Sequence, residues 1–108
     1  MTDLEVTKLC AKAAELGFEP DNNGHYFDEE GSSRSYWPLT NEEQAGALVD
    51  WLIERGELTF GRAPGTTKRS AMWFLPWGKD GGAYLWFTPD KESRRRGICE
   101  CVVKIYRE

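Results

Sequence analysis

The chain has 108 residues, 40% of them apolar and 30% charged, with a net charge of −4 at pH 7. That length bounds it to one α+β domain spanning residues 1–108, and five tryptophans, five phenylalanines and four tyrosines favour a packed core over disorder. No apolar run reaches a membrane span, no basic-then-apolar leader opens the sequence, and three cysteines make no disulfide framework, so the expected setting is a reducing cytoplasm.

Thr2-Asp3-Leu4-Glu5 has capping-box spacing and predicts a helix start. Val6, Leu9, Cys10, Ala13 and Leu16 form its apolar stripe, and Gly17 is a natural stop. His25-Tyr26-Phe27-Asp28 and Ser33-Arg34-Ser35-Tyr36-Trp37 predict a hairpin whose tip holds three acids, Asp28, Glu29 and Glu30. Thr40-Asn41-Glu42-Glu43 is a second capping signature, followed by a stripe of Ala45, Leu48, Val49, Leu52 and Ile53 and a stop at Arg55-Gly56. Trp51 lies off that stripe, either beneath a loop or as an exposed anchor.

Glu57 to Arg62 alternates as a strand with Leu58 and Phe60 inward, and a loop from Ala63 to Lys68 follows. Gly61 to Lys68 fails as a phosphate loop, because the glycine spacing is short and a strand, not a helix, comes next. The stretch from Arg69 to Thr88 then predicts an aromatic hairpin, Ser70–Leu75 and Ala83–Thr88, joined by a Gly- and Pro-rich loop carrying Trp77 and Lys79. Both strands carry apolar groups on both faces, so they are either covered on two sides or half-covered with an adhesive face. Thr88 is read as the cap of a last helix with Pro89 in its first turn, and Ile98, Cys101, Val102 and Ile105 as its core stripe. Gly97 interrupts this helix, and Arg94-Arg95-Arg96 sits in its N-terminal half, against the macrodipole.

No catalytic constellation emerges from these residues. Cys99 and Cys101, two apart on a helix, diverge by about 200° and cannot clamp a metal together. His25 is the only histidine and has no identifiable nucleophile or acid beside it. No nucleotide loop or nucleophile elbow is present, so neither enzyme, cofactor nor metal is expected. The charge, by contrast, is strongly partitioned. Residues 1–57 hold 13 acids and 4 bases, and residues 58–108 hold 5 acids and 10 bases. An acidic pole suits a basic partner, and a basic pole suits nucleic acid.

Four stretches carry a family resemblance: Leu9 to Phe18, Tyr36-Trp37-Pro38-Leu39, Ala45 to Leu52, and Arg96 to Lys104. With the element order αββαβββα, the chain resembles the small phage and prophage proteins of the phage ABA sandwich domain. The resemblance implies a bacteriophage or prophage origin, action inside the bacterial host, and a mainly antiparallel sheet packed by three helices. It brings no functional residues with it.

The leading expectation is a non-enzymatic inhibitor or modulator of a host protein, such as an anti-CRISPR or other counter-defence protein acting on a nucleic-acid-binding complex. Asp28, Glu29, Glu30, Glu42 and Glu43 would form its acidic surface, with Trp77 and Trp51 as aromatic anchors. The alternative is a nucleic-acid-binding accessory protein contacting phosphates through Arg62, Lys68, Arg69, Lys79, Arg94, Arg95 and Arg96, with Tyr84, Trp86 or Trp77 stacking on bases. A self-associating phage structural component is the third.

Overall fold

The computed structural model describes residues 1–62, 70–78 and 82–108. The elements run α1 (Asp3–Ala13), β1 (His25–Phe27), β2 (Ser33–Ser35), α2 (Glu42–Ile53), β3 (Gly56–Arg62), β4 (Ser70–Pro76), β5 (Tyr84–Phe87) and α3 (Lys91–Arg107). This is the αββαβββα order of an α+β domain. The strands divide into two antiparallel sheets, a small β1-β2 hairpin and a three-stranded β3-β4-β5 meander.

α3 is the hub. It packs against β4 and β5, and also against α1 and α2. That position explains why Cys99 and Cys101, on diverging faces of one helix, are both fully buried. The predicted single stripe widens to Ile98, Cys99, Cys101, Val102 and Val103, because the helix has neighbours on several sides. Gly97 serves the same packing: a Cβ there would stand 3.4 Å from both Thr88 Cγ2 and Trp86 Cβ, so helix and sheet meet closely at this point. Its helix-propensity cost of about 1 kcal/mol is the cost of that approach. Phe74 and Met72 of β4, Leu48 and Leu52 of α2, and Val6, Cys10 and Ala11 of α1 fill the remaining core.

The helix caps depart from the sequence reading in two places. Thr2 does cap α1, its Oγ1 accepting the Glu5 N–H at 3.1 Å. At α2, however, the cap is Asn41, whose Oδ1 accepts the Gln44 N–H at 3.0 Å. Thr40 is held back in a turn by donating its N–H to the Trp37 carbonyl at 3.0 Å. At α3 the cap is Asp90, accepting the Ser93 N–H at 2.7 Å. Thr88 instead donates its N–H to Ser70 O at 2.8 Å, so sheet bonding continues where a cap was expected. Two stripe residues also stay outside. α1 ends at Ala13, leaving Leu16 exposed, and Ile53 ends α2 half in solvent.

The register of the meander decides which face meets the core. Leu58, Phe74 and Tyr84 align across the three strands, as do Phe60, Met72 and Trp86. These side chains share the face toward α3, although Phe60 lies on the outer strand and remains exposed. The opposite face presents Thr59, Trp73 and Leu85 in one row, with Glu57 beside Leu75 and Gly61 beside Ala71 and Phe87. Of the two expectations for the aromatic strands, half-covered is the one realised.

Candidate functional site

The uncovered face of the meander is apolar where alternation would place polar side chains. Leu75 and Leu85 are 41% and 46% exposed, and Phe87 is exposed beside them. Trp73 lies between, partly covered, its ring 3.3 Å from the position a Cβ on Gly61 would take. The β4 stripe of alternate residues, Trp73 and Leu75, continues past the strand into Trp77, which is 62% exposed. The Trp77 backbone is fixed by its N–H donating to the Arg55 carbonyl at 3.2 Å. Its side chain helps line a groove of about 400 Å³ with Ile53, Gly56, Glu57 and Leu58. Glu57 brings an exposed carboxylate to the groove, and of the exposed acids at the end of α2, Asp50 and Glu54, Glu54 is paired with Arg55 at 3.5 Å. The groove is thus an apolar concavity with an acidic margin.

Other expected site residues are committed internally. The Trp51 indole N–H donates to Ala13 O at 2.9 Å, and the Arg55 guanidinium lies 3.8 Å over its ring. Trp51 therefore fastens α1 to α2, and of the two tryptophans Trp77 is the exposed one. Asp28 accepts from the N–H groups of Glu30 and Ser32 at 3.0 and 2.9 Å, and from Arg34 Nε at 2.9 Å. The Arg34 bond, followed by the Ser32 N–H, holds its carboxyl below the usual range. Asp28 shapes the turn, and Glu29 and Glu30 are the exposed acids of the hairpin tip. Glu42 is paired with Arg95 at 2.6 Å, whereas Glu43 lines a separate cleft beside Tyr26 and Tyr36. Of the five predicted acids, Asp28 and Glu42 are thus paired with arginines, and Glu29, Glu30 and Glu43 are exposed.

The basic set divides likewise. Arg95 donates to Leu39 O at 3.0 Å as well as to Glu42, and Arg96 bonds Asp3 at 3.0 Å. The three-arginine run is thus balanced by acids from α1 and α2, not only by its own helix. Arg62 and Arg94 do line one cleft, of about 600 Å³, with Lys91, Ser70, Thr88 and Asp90. Lys91 escaped the sequence reading because it stands alone in the chain, outside the arginine run. Lys68, Arg69 and Lys79 lie outside the described residues. Tyr84 and Trp86 turn toward α3, Tyr84 donating its hydroxyl to Glu108 at 2.7 Å, so neither offers a solvent-facing platform.

The cysteines are buried and unactivated. Cys10 Sγ lies 3.6 Å from Cys99 O, and that contact, with burial, pushes its thiol well up. Burial pushes Cys101 up to about 12. Among the described residues, no group of three His, Cys, Asp or Glu is placed to hold a metal, and no helix is long and apolar enough to cross a membrane.

Comparison with protein-family models, curated proteins and solved structures returns no match. The reading of function rests on the surface itself.

Proposed function

We propose that this protein is a non-enzymatic binding protein that docks on a host protein and modulates it, in the manner of a phage counter-defence protein. The carrying observation is the exposed apolar face of the meander, continuous through Leu75 with Trp77. Large apolar side chains presented together on a small monomer mark interaction surfaces, and an exposed Trp beside a concavity is a favoured binding hot spot. The acidic margin at Glu57 favours a partner with an apolar patch and a basic border, as around a nucleic-acid-binding channel. The phage and host setting comes from the sequence resemblance alone.

The test is capture from bacterial lysate by the tagged protein, with nuclease present, compared among the native chain, Trp77→Ala and Leu85→Glu. One host protein retained by the native chain and lost by both variants, with far-UV circular dichroism unchanged, supports the reading. Equal retention by all three removes this face from the account.

A second reading has one observation behind it: Arg62, Lys91 and Arg94 line one cleft although the chain is acidic overall. Three cations around a concavity suit phosphate contact. A gel shift at low salt with single-stranded nucleic acid, weakened by Arg94→Glu, would favour it. No shift at micromolar protein would eliminate it.

A further inference from the structure

A third concavity lies at the other end of α2, about 15 Å along the helix from Ile53 at 1.5 Å per residue. It measures about 280 Å³ and is lined by Phe18, Tyr26, Tyr36 and Glu43, with Ala14 and Leu16 at its α1 side. The volume falls just below the roughly 300 Å³ at which small-molecule sites begin, which suits a single inserted side chain.

Its walls are built, not incidental. Phe18 and Tyr26 stack with centroids 3.6 Å apart and planes 5° from parallel, and Tyr36 meets Phe18 edge-on at 5.8 Å. Gln44 locks the hairpin to α2 from both ends of its amide: Oε1 accepts the Trp37 N–H at 2.7 Å, and Nε2 donates to Ser35 O at 2.8 Å. The cleft is therefore assembled from three separate pieces of chain, the segment after α1, the hairpin, and the first turns of α2.

Three features make it electronegative. Aromatic rings attract cations at their faces. Glu43 contributes an exposed carboxylate to the lining. Ala14, the C-cap of α1, brings the end of that helix to the cleft, where the carbonyls of Cys10, Ala11, Lys12 and Ala13 already accept hydrogen bonds and only a residual of the helix dipole adds to the carboxylate. No Lys or Arg is among the described lining residues; Arg34, opposite Tyr26 in the hairpin, is paired with Asp28 at 2.9 Å, and Lys12 stands one turn back in α1. We propose that this cleft receives one cationic side chain, a lysine ammonium or an arginine guanidinium, from a bound protein. Only the identity of the molecule carrying that cation rests on the partner-binding reading above; the cation preference belongs to the cleft.

The test therefore needs no partner. The isotope-labelled protein is titrated at low salt with N-acetyl-arginine methylamide, with the lysine equivalent, and with the citrulline equivalent, which keeps the shape and lacks the charge. The ring resonances of Phe18, Tyr26 and Tyr36 are followed by NMR. The expected result is saturable shifts with at least one cationic probe, about fivefold or more weaker affinity for citrulline, and a comparable weakening in Glu43→Gln. Glu92→Gln, an exposed acid in the first turn of α3 that lines neither groove, leaves the affinity unchanged. Equal response to arginine and citrulline, indifference to Glu43→Gln, or no response to either cation overturns the proposal. Tyr26→Leu, checked for an intact spectrum elsewhere, separates loss of a ring wall from loss of charge and should also weaken the cation. A cleft that binds cations while the lysate capture fails would leave this inference standing and the host-protein reading fallen.

Discussion

The indole of Trp51 and the main chain of Ala13 are joined by a 2.9 Å hydrogen bond that spans the end of α1 and the last turn of α2. The bond satisfies one of the carbonyls a helix leaves open at its C-terminus. Trp51→Phe keeps a ring beneath Arg55 and removes only the donor. The expected loss is about 1 kcal/mol of unfolding free energy, read as a lower midpoint at unchanged slope in urea titration. An unchanged midpoint would mean that water serves Ala13 equally well.

Gly56 is the first residue of β3 and has no room for a side chain. A Cβ there would stand 2.4 Å from Phe74 Cζ and 2.5 Å from Leu75 O. Backbone and a fully buried ring are the obstacles, so neither yields easily. Gly56→Ala should destabilise by about 1–3 kcal/mol or more, whereas Gly46→Ala, in open space on α2, should be neutral or mildly stabilising. Paired thermal melts of the two variants check the contrast.

Acid stability should follow three aspartates. Asp21, Asp28 and Asp90 all have carboxyls lowered from 3.8, by the His25 N–H, by Arg34 and by the Ser93 N–H respectively as the leading causes. A lowered folded value means that their contribution is complete above the unfolded value and is lost as pH falls through the folded one. Their part of the melting curve should therefore be flat from neutrality to about pH 5 and decline below about pH 4. Asp28→Asn should lower the midpoint at pH 7 and make the acid decline shallower. A decline as steep as that of the native chain would show that Asp28 does not contribute to it.

The thiols should resist alkylation until the protein opens. Cys10, Cys99 and Cys101 are buried, and Cys10 and Cys101 are held as thiols. Iodoacetamide at pH 8 should leave the native chain unmodified and label all three in denaturant, as counted by intact mass. Rapid native labelling would place a cysteine at the surface and contradict the packing of α3.

Element order and type were legible because each segment carries its own period and its own stop. The details that failed share a physical origin: neighbours in space changed the use of a local signal. Thr40 and Thr88 have the chemistry of caps, but each backbone N–H was claimed elsewhere, by Trp37 and by Ser70. Trp51 reads as an off-stripe aromatic, and only the proximity of α1 gives its N–H an acceptor. The candidate groove was legible only through Trp77, since Ile53 and Glu57 join it through the turn between α2 and β3. The aromatic cleft was invisible to spacing altogether, because Phe18, Tyr26, Tyr36 and Glu43 come together only when the hairpin folds onto α2.

The central position of α3 has a consequence for how the chain matures at the ribosome. α3 carries the partners of α1: Cys10 meets Cys99 across 89 positions, and Arg96 meets Asp3 across 93. The meander and α1 must wait, apolar sides uncovered, until α3 emerges from the exit tunnel. Cooperative folding is thereby deferred until α3 has been made, and the nascent chain is at its most adhesive just before that.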